Sequence, residues 1–173
     1  AMAASRAVVS VEQGSCQLVR NGTVLKLKKE AKWRWVRPGD KVRTGADSIA
    51  ILKFDGCGQL TLKSNSTVQI LSLELPEKTK AGTANVHLQK GEMEATVGNP
   101  GRQRTNGHCN LSIRIGSATL SGTDFSAKLS YDEKGAYTVD VTAGRATLKH
   151  DSGALVLLTA SVTIEDGSPL TIT

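Results

Sequence analysis

The chain has 173 residues, 39% hydrophobic and 22% charged, a balance that suits one globular domain with a real core and excludes intrinsic disorder. Aromatic residues make up only 3%, so Val, Leu, Ile and Ala must fill that core. A formal net charge of +6 with a pI near 9.4 admits an acidic partner. No apolar run approaches the roughly 18 to 20 residues that span a bilayer, and no signal peptide is present. The opening Ala-Met-Ala-Ala-Ser has the character of a short appended leader, which implies a natural chain that starts further upstream.

Read in order, the chain is a series of short alternating segments separated by turn formers, with no convincing amphipathic helix. Strands are expected at 7–11 and 16–19, and Asn21-Gly22 marks a hairpin into 23–27, a strand with one wet face. Lys26, Lys28, Lys29, Lys32, Arg34 and Arg37 then form a basic run around Trp33 and Trp35. Such a run gives phosphate contacts but no base readout, so nucleic acid is disfavoured and a solvated basic edge is the simpler reading. The two tryptophans are two apart, which places them on one face of an extended chain. Exposed, they would make a sugar or peptide platform; buried, they would cap one end of the core.

Beyond the Pro38-Gly39-Asp40 turn and the Thr44-to-Asp47 turn, the segment 48–54 is apolar on both sides and reads as a central strand. Gly56 belongs to the turn that follows it. Strands continue at 59–62, 68–75, 84–89 and 92–97, with Lys90-Gly91 as a turn between the last two. The segment 98–107 has no apolar residue and carries Arg102 and Arg104, which makes it a second candidate binding region. Strands at 111–115, 118–120, 125–131, 136–141, 145–150, 154–158 and 162–164 follow, with turns expected at 121–124 and at Ala143-Gly144. A short turn near 159–161 is the nearest approach to helix.

The stretch 39–58 recurs without a gap as 116–135: Gly39 falls on Gly116, Gly45 on Gly122, Asp47 on Asp124 and Asp55 on Asp132. The matches are turn formers and alternating apolar residues, so the repeated unit is a turn, a strand and a turn. Gly45, Asp47, Gly56, Gly122, Asp124 and Gly144 are accordingly assigned to structural turns. An aspartate in a Thr-Gly-x-Asp turn bonds local backbone amides, and this reading is preferred to a carboxylate pair for hydrolysis.

Reactive constellations are missing from the sequence. His87, His108 and His150 have no metal-ligand spacing, although His108 adjoins Cys109. There is no G-x-S-x-G elbow and no phosphate-cradling glycine loop. Cys16, Cys57 and Cys109 are an odd number without a CxxC pair, so at most one intrachain disulfide forms; Cys57 with Cys109 is the candidate because both lie among turn residues, and three reduced thiols remain the alternative.

The run PGDKVRTGADSIAILKFDGCGQLTLKSNSTVQI, then LQKGEMEATV, then ATLSGTDFSAKLSYDEKGAYTVDVTAGRATL, resembles the FecR domain over 39–148. The separated blocks fall in order: Gly-Asp before Thr-Gly, an Asp-Gly turn, KGE, Gly-Thr-x-Phe at 122–125 and V-x-x-G-x-A at 141–146. Cys57 departs from the Ser that the family usually carries, which implies a disulfide or packing role for it. The resemblance implies a single all-β domain over 1–173, sandwich-like or solenoid-like, with short antiparallel strands and no cofactor, on the outer side of a bacterial inner membrane. FecR regulators carry a membrane helix and a cytoplasmic anti-sigma segment and receive a signal from an outer-membrane transporter; neither of those segments is evident in this sequence. The expected role is a non-catalytic binding or signalling module, periplasmic or secreted, for a protein or a cell-envelope glycan. A structural scaffold domain of a larger envelope protein is the alternative. Its oligomeric state is not written in the sequence.

Overall fold

Apolar residues two apart line one face of nearly every strand, and that face is the buried one. The computed structural model describes residues 6–29, 32–76, 81–98, 109–153, 155–158, 161–164 and 171–172. Among these, fifteen strands and no helix occur. In chain order they are β1 (Ala7–Gln13), β2 (Ser15–Arg20), β3 (Thr23–Lys28), β4 (Arg34–Val36), β5 (Lys41–Thr44), β6 (Ile49–Phe54), β7 (Gly58–Leu62) and β8 (Thr67–Glu74). Then come β9 (Gly82–Val97), β10 (Cys109–Ile115), β11 (Ala118–Tyr131), β12 (Tyr137–His150), β13 (Leu155–Leu158), β14 (Ser161–Ile164) and β15 (Thr171–Ile172).

All fifteen belong to one sheet, which the pairings divide into two wings. The first wing runs β3-β2-β5-β8, then the early half of β9, β10, the start of β11, the end of β12 and β13. The second runs β4-β1-β6-β7, then the late half of β9, the late half of β11, the start of β12, β14 and β15. Only β9 with β10 is parallel among the described pairs. The inner faces of both wings, from Leu18, Val42, Val68 and Val86 to Val9, Leu52, Leu60 and Leu129, form one hydrophobic cluster. The architecture is therefore an open, folded sheet packed as a sandwich.

Three long strands, β9, β11 and β12, pass from one wing to the other. In β11 and β12 the passage coincides with register shifts at Ser121/Asp124 and Ser126/Ala127. A bulge adds a residue to one strand and sharpens its twist, which lets a continuous strand turn the corner. In β9 the corner lies at Lys90-Gly91, where Gly91 has φ 93°. Hydroxyls stitch this corner to the neighbouring crossings: Ser66 Oγ accepts from Glu92 N (2.9 Å) and donates to Glu92 O (3.0 Å), while Thr44 Oγ1 donates to Lys63 O (2.6 Å) and accepts from Ser66 N (2.8 Å). Thr44, Ser48 and Ser66 are buried, yet every one of these hydroxyls has a partner. That satisfaction is what permits polar side chains at a buried corner.

A Cβ at Gly91 would stand 2.6 Å from Ser66 Cα, on a backbone that L-residues avoid. Gly91→Ala is accordingly expected to cost about 2 kcal/mol or more in a urea titration. A loss below about 0.5 kcal/mol would show that the corner tolerates displacement.

Several sequence expectations change here. Lys90-Gly91, 121–124 and Ala143-Gly144 are not turns but lie inside β9, β11 and β12. These strands have 16, 14 and 14 residues, so not all strands are short. The second unit, 116–135, thus holds a bulged strand where the first, 39–58, holds a Thr-Gly turn. β3 is wet on both faces except at Leu27, because it is an edge strand with little beyond it. β6 buries Ala50, Leu52 and Phe54 only; Ile49 and Ile51 face outward and are partly exposed. Residues 159–160 lie outside the described residues.

Candidate functional site

Pairing with β1 fixes the direction of the tryptophan segment. Trp35 lies opposite Val8, which lies opposite Lys53 of β6, so all three point to the outer face of the second wing. Trp33 and Trp35 are 42% and 56% exposed, which removes the reading in which they cap the core. Each ring carries a cation: the Arg6 guanidinium lies 4.6 Å from the Trp35 centroid, and Lys53 Nζ lies 4.8 Å from that of Trp33. Such contacts are worth about 0.5–1 kcal/mol at exposed sites and hold the rings in place. Val8, Ile49 and Ile51 continue the apolar surface beside them.

What positions this edge was not singled out in the sequence. Arg20, at the end of β2, grips the buried Asp40 carboxylate with Nε (2.9 Å) and Nη2 (2.7 Å), and the same Nη2 donates to the Trp35 carbonyl at 3.2 Å. Asp40 also accepts from the Arg37 amide at 2.8 Å. The bidentate bond raises the Arg20 pKa further, so the guanidinium stays charged at every physiological pH. The Gly-Asp block gave a signal for Asp40, but nothing local marked Arg20 as its partner.

Arg34 lies opposite Val9 and so points to the other side of β4 from Trp35; Arg37 is exposed. The structure thus gathers Trp33 and Trp35 with Arg6 and Lys53, while Arg34 points away from them. Arg102 and Arg104 lie outside the described residues. Both ends of their connection are nonetheless fastened to one residue: Gly98 N donates to Cys57 O at 2.9 Å, and Cys57 is joined to Cys109 (S–S 2.07 Å, Cα–Cα 4.9 Å). Cys16 is free and buried, and burial pushes its thiol up to about 11, so it stays protonated and unreactive.

The turn candidates take varied places. Gly45 donates its amide to Ser15 O, Asp47 adopts φ 52°, and Gly56 turns between β6 and β7. Gly122 and Asp124 sit within β11, and Asp124 faces Arg145 across the ladder. Gly144, at φ 71°, lies against the Asp124 backbone inside β12.

One cluster resembles a nucleophile with its base. Ser117 Oγ lies 3.0 Å from His150 Nε2 and 2.6 Å from the Tyr137 hydroxyl. His150 Nδ1 lies 2.8 Å from the Ser152 hydroxyl and 3.2 Å from its amide, so both ring nitrogens are engaged. The cluster ties the turn before β11 to the start and the end of β12. Burial raises the Tyr137 pKa, which keeps its hydroxyl neutral. Among the described residues no three His, Cys, Asp or Glu side chains are placed to hold a metal, and no helix is long and apolar enough to cross a membrane.

The fold and this edge define an all-β sandwich domain with an exposed aromatic rim. The family model for "FecR protein" matches residues 40–147, and the chain belongs to that family. Two crystal structures of a "putative anti-sigma factor" from Parabacteroides distasonis share the fold, with TM-scores of 0.58 and 0.59 at 10% and 11% identity. Each alignment covers 77% of this chain and 58% of the other, so the chain spans little more than half of those proteins' length. Comparison with curated protein sequences gives no significant match.

Proposed function

We propose that the chain is a non-catalytic, extracytoplasmic FecR-type module that recognises a protein or a cell-envelope polymer through the Trp33–Trp35 edge. The observation that carries this reading is the exposure of both rings, each braced by its own cation. Tryptophans left in water at a cost, yet fixed by an Arg20–Asp40 clamp beneath their backbone, make a preorganised contact surface. Family membership supports a signalling role in the envelope, in which the module presents this surface to a partner.

The chain has only two tryptophans, so intrinsic fluorescence reports on this edge alone. Trp33→Ala with Trp35→Ala is expected to leave the circular dichroism spectrum and the urea midpoint nearly unchanged while abolishing capture of envelope protein or purified peptidoglycan. Undiminished capture by a folded double variant would remove the edge from the site and favour the scaffold reading.

A further inference from the structure

The net positive charge is not spread evenly over the two outer faces. On the second wing Glu92, Glu94 and Asp140 alternate with Lys53, Lys63 and Lys128, and Lys63 lies 3.7 Å from Glu94. On the first wing the strand registers bring together residues far apart in sequence. One row crosses the sheet as Lys149, Thr119, Arg114, His87, Gln69 and Lys41. A neighbouring set places Thr67, Arg43, Gln17 and Lys26 side by side. Adjacent strands lie about 4.8 Å apart, so these cations form a lattice over several strand widths.

Among the described residues Arg114 is the only one of these cations in an ion pair, with Asp151 at the rim, and Glu74 is the other rim carboxylate. Lys26, Lys41, Arg43 and Lys149 have no acidic partner there. Between them lies a carpet of amides and hydroxyls already oriented by mutual bonds: Gln89 to Gln69 (3.0 Å), Asn85 to Ser72 (2.7 Å) and Asn110 to Ser112 (3.2 Å). No Phe, Tyr or Trp stands on the described part of this face.

We propose that the outer face of the first wing is a second binding surface, for a linear anionic polysaccharide. The cations meet the polymer's carboxylates or other anionic groups, and the amide and hydroxyl side chains meet its sugar hydroxyls. Bases would find no Phe, Tyr or Trp ring to stack on, which disfavours single-stranded nucleic acid. The surface is independent of the tryptophan edge, which faces out from the other wing.

The test is calorimetric titration of the full chain at low salt with polygalacturonate, with neutral dextran and double-stranded DNA as comparators. Polygalacturonate is expected to bind and dextran is not. Lys41→Glu with Arg43→Glu should weaken polygalacturonate binding about tenfold or more. Lys128→Glu with Lys134→Glu makes the same change in net charge away from this face, and should weaken it less than about threefold. Trp33→Ala with Trp35→Ala should leave it unchanged, which separates this surface from the one above. Absence of binding, equal weakening by both charge-reversed pairs, or tighter binding of DNA than of polygalacturonate would overturn the proposal. A second measurement follows His87 by NMR. Its pKa is lowered by burial and then by the positive charges of Arg114 and Lys41, while Gln69 opposite it is neutral. A polyanion lying across those charges raises the His87 titration midpoint, and bound polymer that leaves it in place would overturn the assignment.

Discussion

Replacing Cys57 and Cys109 together by serine is expected to lower the unfolding free energy by about 4 kcal/mol. The bond joins residues 52 positions apart, and closing a loop of that length removes this much chain entropy from the unfolded state. Both sulfurs are buried, at 2% and 0% exposure, so two serine hydroxyls in their place add to the cost. Urea titration of the oxidised chain and the double variant measures the difference, and a reducing agent should move the native chain toward the variant. A loss below about 1 kcal/mol would show that the rest of the sheet already holds the β6–β7 turn to the start of β10. The bond fixes Cys109 to the residue whose carbonyl accepts from Gly98 N, and that backbone contact is kept in the variant.

The second large effect is expected at the Arg20–Asp40 clamp, and its asymmetry is the informative part. The Asp40 side chain is 2% exposed and that of Arg20 34%. Arg20→Leu leaves a carboxylate buried without its main counter-charge, which costs about 3 kcal/mol. Asp40→Asn costs less, because the half-exposed guanidinium can turn to water while the amide oxygen still accepts from Arg37 N. Arg20→Leu also frees the Trp35 carbonyl, so the fluorescence anisotropy of the tryptophan edge should fall before global unfolding. Equal losses for the two variants would mean that the carboxylate is better solvated than its surroundings imply.

How much of this was legible beforehand follows from the range of each signal. Alternation is local, and it marked β1, β2, β7, β8 and β10 close to their observed bounds. Gly91 and Gly144 misled because a glycine with positive φ signals a change of direction without saying whether pairing stops. At Lys90-Gly91 the ladder continues while the partner strands change, and at Ala143-Gly144 β12 keeps β11 and only its other neighbour switches from β14 to β13. Ile49 and Ile51 misled in another way. Their apolar character belongs to the tryptophan edge, a surface, rather than to a second buried face. Arg20 and the cationic lattice left no readable trace, since cross-strand register brings together positions as distant as Lys41 and Lys149, and register is set by the whole fold.

Because β9, β11 and β12 each contribute backbone to both wings, no point along 82–150 divides the molecule into halves that keep their own hydrogen-bond ladders. The module is thus expected to behave as one unit of folding, with neither wing stable on its own and unfolding in one cooperative transition. The same continuity makes it a stiff lever. A partner that tilts the tryptophan edge is expected to carry the opposite face with it, since three continuous strands join the two.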